Sequence, residues 1–183
     1  MKLTLVRHTS VDGPKGICYG ITDVPVSPDF RNEMEQVRQK LGEQKFDAVF
    51  SSPLSRCTQL AEELTKNLPV QTDSRLTELN FGDWEMTSWD SIFESAAGKA
   101  WFADYANTPC PNGESFAELI KRTRAFLSDL ENRTFASVLV VTHAGIVRAM
   151  MCLLQGKSPE EAFRIPVENG QIMTFNLENL YHE

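Results

Sequence analysis

Apolar runs alternate with amphipathic stretches along the chain, and this alternation is the main guide to its fold. An apolar run bounded by polar or turn-forming residues predicts a buried strand, and strict alternation predicts a strand with one covered face. By these criteria strands are predicted at 3–6, 46–51, 69–73, 137–142 and 173–177. The run Ser-Val-Leu-Val-Val-Thr at 137–142 is the strongest of them.

Between these strands, apolar residues recur three and four positions apart, which predicts amphipathic helices. Two helices are expected to begin at Ser27-Pro28 and Ser52-Pro53, because serine caps helices and proline is tolerated in the first turn. A third is expected to begin at Ser115, where Glu118 completes a capping box. An apolar and therefore buried helix is predicted over 145–154.

Strands that alternate with helices predict an α/β fold, here a three-layer α/β/α arrangement around a mainly parallel central sheet. We expect residues 1–183 to form a single domain, since no repeat or linker interrupts the pattern. The loop at 9–28 is rich in glycine and proline, and a loop of that length is usually functional. The aromatic-rich stretch 79–107 is expected to form short helices that act as a flank or lid.

Charge and composition exclude several classes of function. The net charge of −7 argues against a nucleic-acid partner, which would require a basic face. No apolar stretch approaches the roughly 20 residues needed to span a membrane, and the N-terminus does not resemble a signal peptide. The four cysteines are scattered and there are only three histidines, so a zinc site is poorly supported. We therefore expect a cytoplasmic protein with reduced thiols.

Two of the three histidines, His8 and His143, directly follow predicted buried strands, whereas His182 lies near the C-terminus. Ligands of parallel sheets bind beyond the carboxyl ends of the strands, so both imidazoles are expected on one rim. Arg7 adjoins His8, and Arg56 follows the helix start at Ser52 closely enough to point towards the same rim. Arginine provides the planar donors that suit phosphate oxygens, and phosphoryl transfer depends on such positioning and charge stabilisation.

Glu78 follows the strand-like segment 75–77 and is a candidate proton donor to a leaving alcohol. Each of these side chains also has a simpler interpretation. His8 could end a strand, His143 could cap a helix, and Arg56 and Glu78 could be solvated. Their joint placement at predicted strand and helix ends favours a site.

The chain resembles the histidine phosphatase superfamily, also called phosphoglycerate mutase-like. The resemblance is carried by segments that occur in the family's order, at 5–9, 51–56, 76–85, 111–115 and 141–145. It implies the phosphoglycerate mutase-like fold and a phosphatase that needs no metal or other cofactor. It also implies a small-molecule phosphate ester as the partner, and a homodimer is compatible with it.

The resemblance implies a role for each matched residue. His8 would be the nucleophile that becomes phosphohistidine. Arg7, Arg56 and His143 would hold the phosphoryl oxygens. Glu78 would protonate the leaving oxygen and then deprotonate the attacking water.

The chain departs from the family at two positions. Thr9 replaces the glycine that usually follows the nucleophile, and Pro14 stands where many members have an asparagine that binds phosphate. Thr9 or Ser10 could supply the lost contact, and both remain open. The roles of Glu114, of Ser115 (more plausible as a helix cap) and of Arg148 (a site residue or a buried ion-pair partner) are open as well.

Segment 16–25, together with Arg-His-Thr, resembles the α-ribazole phosphatase subgroup. That resemblance implies removal of the 5′-phosphate from α-ribazole phosphate in cobalamin biosynthesis. The family's substrate-contact pair maps onto Tyr19 and Gly20, and a tyrosine could stack on a flat base. Thr9 and Ala144, which lie in matched motifs, are further expected substrate contacts.

Other functions remain as alternatives. A phosphoglycerate mutase or a broad sugar-phosphate phosphatase would use the same motifs, although a short acidic chain favours water as the acceptor. A non-catalytic phosphate-binding module would need neither the nucleophile His8 nor the acid Glu78, so the presence of both argues against it.

Overall fold

The computed structural model describes residues 1–177, and His182 lies outside that part of the chain. The strands are β1 (Lys2–Arg7), β2 (Ala48–Ser51), β3 (Val70–Thr72), β4 (Ser137–Thr142) and β5 (Ile172–Asn176). The helices are α1 (Phe30–Leu41), α2 (Ser55–Leu64), α3 (Trp89–Glu94), α4 (Ala96–Ala103), α5 (Phe116–Glu131), α6 (Ala144–Gln155) and α7 (Pro159–Arg164).

The strands form one sheet in the order β3-β2-β4-β1-β5. The pairs β1–β4, β2–β4 and β2–β3 are parallel, and only β5 runs antiparallel to its neighbour β1. The predicted α/β fold with a mainly parallel sheet is therefore confirmed. The first and fourth strands lie side by side, so the residues that follow them meet at one edge of the sheet.

The central strand β4 has both of its faces buried. Val138 and Val140 pack into one apolar cluster with α5 and α6, while Leu139 and Val141 pack into a second cluster with α1 and α2. Successive side chains of a strand point to opposite faces, so a strand covered on both sides is apolar throughout. This explains the uninterrupted apolar run at 137–142 and gives the predicted three layers.

Two predicted helix starts were wrong. Helix α1 begins at Phe30, because the Ser27 hydroxyl and carbonyl accept hydrogen bonds in a turn that precedes the helix. Helix α2 begins at Ser55, whose N–H donates to Oδ1 of Asp23 at 2.9 Å. The hydroxyl of Ser52, predicted to be the cap of α2, lies instead 2.8 Å from a ring nitrogen of His143.

The aromatic segment 79–107 forms a 3-10 turn followed by α3 and α4. Trp84 and Trp101 are buried in the larger apolar cluster, with ring centroids 5.9 Å apart, so the segment packs on the body of the molecule as a flank. Phe93 and Phe102 lie at its outer edge and are exposed. Movement of this segment as a lid stays a prediction.

Helix α5 is the longest of the described helices, with 16 residues. The predicted capping box is confirmed, because the Ser115 hydroxyl accepts the N–H of Glu118 at 3.2 Å and the Glu118 carboxylate accepts the N–H of Ser115 at 2.8 Å. Ser115 is thus a cap, as expected.

Within residues 1–177, no helix combines the length and apolarity that crossing a bilayer requires.

Replacing Ser115 by alanine is expected to lower the free energy of unfolding by about 1 kcal/mol, because the N–H of Glu118 loses its acceptor. Urea unfolding measures this change. The exposed Ser128 on the same helix is the control, and Ser128→Ala should alter stability by less than about 0.5 kcal/mol. A comparable effect of both variants would contradict the capping role.

Candidate active site

The carboxyl ends of β1, β2 and β4 are joined by backbone hydrogen bonds. The N–H of His8 donates to the carbonyl of Thr142 at 2.9 Å, and the N–H of Ser52 donates to the carbonyl of Val141 at 3.0 Å. These bonds hold the two imidazoles together, and the ring centroids of His8 and His143 are 5.2 Å apart. The prediction that both histidines share one rim is confirmed.

A cavity of about 300 Å³ opens at this rim. Its lining combines charged and aromatic side chains, namely Arg7, His8, Ile17, Tyr19, Arg56, Glu78, Phe81 and Trp89. Four of the five residues predicted to be catalytic therefore line one cavity, and the fifth, His143, is fully buried against His8. A larger cavity of about 580 Å³ lies between the carboxyl ends of α1 and α2 and includes none of these residues.

The hydrogen bonding of His8 fixes its tautomer. Its Nδ1 lies 2.6 Å from the carbonyl oxygen of Thr9, which can only accept, so Nδ1 carries the proton. The lone pair on Nε2 is then available to a nearby electrophile. Burial lowers the pKa of His8 to about 3, and the charges of Arg56 and Arg7 contribute, against a raising effect of the bond to Thr9. The imidazole is therefore neutral near pH 7.

His143 occupies the N-cap position of α6, but its side chain makes no capping hydrogen bond. Its Nε2 contacts the hydroxyl of Ser52 at 2.8 Å and the thiol of Cys57 at 3.5 Å. Burial lowers its pKa well below the usual value, followed by the effects of His8 and Arg56. Ser52 thus orients a site residue, a role that its place before a proline did not reveal.

Arg56, the second residue of α2, is fully buried and pairs with no carboxylate within residues 1–177. Its guanidinium donates to the carbonyls of Thr22 at 2.8 Å and Gly20 at 2.6 Å, and its Cζ lies 5.4 Å from the ring centre of Tyr19. Carbonyls orient the cation but leave its full charge in place. That charge faces the cavity, where it can stabilise an anion.

Buried donors without partners mark where an anion could bind. Arg7 donates to the carbonyl of Val167, yet within the described chain its Nε–H has no partner, and neither has the Nε–H of Arg56. Most buried polar groups in proteins are hydrogen-bonded, so exceptions that border one cavity point to a missing ligand. Two guanidinium groups are suited to the oxygens of a phosphoryl group.

The unpartnered groups also bear on the two departures from the family pattern. The buried hydroxyl of Thr9 has no hydrogen-bond partner among residues 1–177. The hydroxyl and the N–H of Ser10 both donate to the carboxylate of Glu33, and Pro14 is exposed. Ser10 is therefore engaged elsewhere, whereas Thr9 has a free hydroxyl but is fully buried and does not line the cavity, so the replacement for the asparagine contact stays open.

Glu78, the residue with the weakest sequence signal, lies in the cavity wall. Its Oε1 accepts the N–H of Leu79 at 2.9 Å and the N–H of Gly145 at 3.1 Å. Gly145 belongs to the first turn of α6, where N–H groups attract carboxylates. Any side chain at Gly145 would collide with this arrangement, since a Cβ there would lie 2.1 Å from Oε1 of Glu78.

Glu85 supports the candidate site, and the sequence reasoning missed it. Its carboxylate accepts the N–H groups of Gly20, Ile21 and Thr22 at 2.9–3.1 Å and the hydroxyl of Thr22 at 2.6 Å. Burial alone would raise the pKa of Glu85, but the hydrogen bonds from this loop outweigh it and lower the pKa. The clamped loop is the one whose carbonyls hold Arg56. The available signal was that Glu85 closes the matched segment 76–85.

The predicted substrate contacts fall in different places. The Tyr19 ring lines the cavity. Gly20 lies behind Arg56 with its N–H engaged by Glu85, and a Cβ there would lie 1.9 Å from the carbonyl oxygen of Leu79. Ala144 is a nearly buried residue at the start of α6 and does not line the cavity. The geometry thus favours Tyr19 among these positions.

In the described part of the chain, Arg148 does not form the ion pair that the sequence suggested as one option. Its guanidinium lies over the Phe163 ring at 5.2 Å and donates to the carbonyl of Ile165 at 3.4 Å. Burial lowers the pKa of Arg148 from its usual value.

Within residues 1–177, no three His, Cys, Asp or Glu side chains are grouped closely enough to bind a metal ion. Catalysis without a cofactor stays a prediction.

The pKa of about 3 for His8 predicts that its imidazole stays neutral between pH 7 and pH 4 in the absence of anions, and the lowered pKa of His143 predicts that this imidazole is also neutral near pH 7. ¹H–¹⁵N NMR of the imidazoles measures this, with His8→Gln and His143→Gln to assign the signals. Below pH 6.5 the histidines of the unfolded chain bind protons that those of the folded chain do not, so the free energy of unfolding decreases as the pH is lowered. The loss should be at most about 1.4 kcal/mol per pH unit for each histidine. A His8 signal that titrates near pH 6.5 would contradict the assigned environment.

Adding inorganic phosphate to the same samples should raise both pKa values, because a nearby anion favours the imidazolium form. The unfolded chain offers no such site, so the same addition should leave the histidine signals in urea unchanged. An unaltered titration of the folded protein would argue against anion binding at this rim.

Comparisons with known proteins agree with this geometry. The sequence profile of the histidine phosphatase superfamily (branch 1) matches residues 3–180. The chain is 28% identical to phosphoserine phosphatase 1 of Hydrogenobacter thermophilus, over 97% of this chain and 87% of that protein. It is also 28% identical to the adenosylcobalamin/alpha-ribazole phosphatase of Escherichia coli K12, over 93% of this chain and 87% of that protein. The crystal structure of the alpha-ribazole phosphatase from Shigella flexneri superposes with a TM-score of 0.89 at 25% identity, covering 99% of this chain and 93% of that one.

Proposed function

The chain belongs to the histidine phosphatase superfamily (branch 1), and on that premise we propose that it is a metal-independent phosphomonoesterase working through a phosphohistidine at His8. One observation carries the proposal. A single cavity joins the neutral imidazole of His8, the guanidinium groups of Arg7 and Arg56, and the carboxyl of Glu78. These are a nucleophile, an anion site and an acid, which together suffice for phosphoryl transfer.

In the first step the phosphate oxygens of the ester accept hydrogen bonds from Arg7 and Arg56. Nε2 of His8 attacks phosphorus, and the bond between phosphorus and the alcohol oxygen breaks. That oxygen keeps the electron pair and takes a proton from the carboxyl of Glu78. The fixed cations stabilise the charge that develops on the equatorial oxygens.

In the second step Glu78, now a carboxylate, removes a proton from water. The water oxygen attacks phosphorus, the bond to Nε2 of His8 breaks, and inorganic phosphate leaves. The imidazole returns to the neutral form that its surroundings favour. Glu78 is protonated again at the end, so the cycle balances.

The character of the cavity walls supports a hydrolase over a mutase. Of the eight lining residues, the cations are Arg7 and Arg56, and both are needed at the transferring group. A mutase that acts on phosphoglycerates must also bind a carboxylate. No further cation lines the cavity in the described part of the chain.

We further propose α-ribazole 5′-phosphate, the phosphate ester of a nucleoside with a flat aromatic base, as the first-choice substrate. The remaining walls are formed by Ile17, Tyr19, Phe81 and Trp89, with the Phe81 and Trp89 rings edge to face at 5.3 Å. Aromatic walls bury planar groups well. Phosphoserine, with an ammonium and a carboxylate, finds fewer complementary groups there. The related phosphatases are named for both substrates.

Replacing His8 by alanine is expected to lower kcat for p-nitrophenyl phosphate by at least on the order of 10³-fold, because the nucleophile is lost. Assays in EDTA test independence from metal. Rapid quenching with a ³²P-labelled ester should trap an acid-labile phosphoprotein in every enzyme that retains His8, and none in His8→Ala. His182→Ala is the matched control. A His8→Ala variant that retained most activity would overturn the mechanism.

The substrate proposal is tested by kcat/KM for α-ribazole 5′-phosphate, O-phosphoserine and 3-phosphoglycerate. Trp89→Leu should lower kcat/KM for the aromatic ester by about 10-fold, the equivalent of about 1.4 kcal/mol. It should leave phosphoserine hydrolysis within about 2-fold, since phosphoserine has no ring to stack. Phe93→Leu, on the exposed side of α3, is the control. A preference for phosphoserine would replace the substrate assignment without affecting the chemistry.

A further inference from the structure

The guanidinium of Arg122 lies beneath the segment that carries Glu78. Arg122 projects from α5 and donates through Nη1 to the carbonyls of Arg75 at 2.6 Å and Thr77 at 2.8 Å. Through Nη2 it donates to the carbonyl of Glu78 itself at 2.9 Å. One side chain therefore holds three backbone carbonyls of the short segment that leads into the cavity wall.

Glu114 holds Arg122 in turn. Its two oxygens accept from Nε at 2.7 Å and from Nη2 at 3.0 Å, a bidentate pair. The same carboxylate accepts the N–H of Asn80 at 3.3 Å. The backbone is thus tied on both sides of Glu78, to the guanidinium before it and to the carboxylate after it.

Arg122 has no donor left for a substrate. A guanidinium has five N–H groups, and this one has five acceptor contacts, three to carbonyls and two to Glu114. The side chains are only 20% and 16% exposed, so the pair is largely removed from water. Such a saturated cation can act on the reaction only through the residue whose backbone it holds.

We propose that Arg122, fixed by Glu114, is a positioning residue that sets the point at which Glu78 delivers its proton. The inference rests on the proposed function, in which Glu78 is the acid. The Glu78 side chain extends from this held backbone, and its carboxyl group accepts hydrogen bonds from the N–H groups of Leu79 and Gly145. Release of the backbone would move the carboxyl relative to the leaving oxygen, while His8, bonded to the end of β4, and Arg56, on α2, would stay in place.

This role has a signature that general destabilisation lacks. An alkoxide is a poor leaving group and needs a proton from Glu78, whereas p-nitrophenolate leaves readily without one. Loss of Arg122 should therefore slow esters of ordinary alcohols selectively. Glu85 offers the opposite case, because it supports the loop that holds Arg56 and so affects the phosphoryl group common to all substrates.

The test compares kcat for β-glycerophosphate and p-nitrophenyl phosphate in the full-length enzyme. Arg122→Met should lower kcat for the alkyl ester by on the order of 10²-fold and for the aryl ester by less than about 3-fold. Glu114→Gln, which keeps the volume, should show the same selectivity to a smaller degree and serves if Arg122→Met fails to fold. Arg122→Lys should recover part of the loss.

Arg75→Met is the matched control. Arg75 lies in the segment that Arg122 holds, but its side chain pairs with Asp73 and Asp129, and its backbone carbonyl can still accept from Arg122 in the variant. Its loss should therefore reduce stability with no selectivity between the two esters. Glu85→Gln should slow both esters to a similar extent.

A double-mutant cycle tests separately whether Glu78 is the acid and whether Arg122 acts through it. If Arg122 acts through Glu78, the Glu78→Gln/Arg122→Met enzyme should be no slower on the alkyl ester than Glu78→Gln alone. Equal losses on both esters in Arg122→Met, or full additivity with Glu78→Gln, would overturn the positioning role and leave the proposed phosphatase intact. Absence of ester selectivity in Glu78→Gln itself would overturn the acid assignment and the inference with it.

Discussion

The site depends on burying positive charge without neutralising it. Arg56 is removed from water at the edge of the sheet, yet its partners are the carbonyls of Gly20 and Thr22. A carboxylate in their place would stabilise the cation more strongly but would cancel its charge, and an unpaired buried charge is costly. The fold accepts that cost at a point where an anion can bind, and the neutral imidazoles beside it avoid adding further positive charge.

Carboxylates outside the cavity support this arrangement indirectly, by holding the groups that position the site residues. Glu85 holds the loop whose carbonyls orient Arg56, and Glu114 holds the arginine that ties the backbone of Glu78. The negative charges of the protein are thus kept close enough to organise the cavity but do not enter it as counter-ions. Glu78, the proposed proton donor, does lie in the cavity wall, where the N–H of Gly145 in the first turn of α6 donates to its carboxyl group.

Much of the fold could be predicted from the sequence, because the buried strands form apolar runs and the parallel order places their carboxyl ends together. His8, His143 and Arg56 were identifiable because each follows such a strand or begins a helix. The predicted start of α2 was wrong because the hydroxyl of Ser52 contacts His143, a partner distant in sequence, and does not cap the helix. Glu85 was missed because it acts through backbone N–H groups, which leave no trace in residue identity. Glu114 remained open for a related reason, since the arginine it holds acts on backbone carbonyls.

The free N–H groups of Arg7 and Arg56 have a consequence for how such an enzyme would behave at work. In the proposed reaction they would bind the tetrahedral oxygens of the transferred group and would not contact the alcohol, so the released inorganic phosphate would compete with the ester for the same site. Turnover would then slow as phosphate accumulates, even with substrate in excess. The feature that makes the cavity receptive to any phosphate ester thus couples its output to the phosphate level around it.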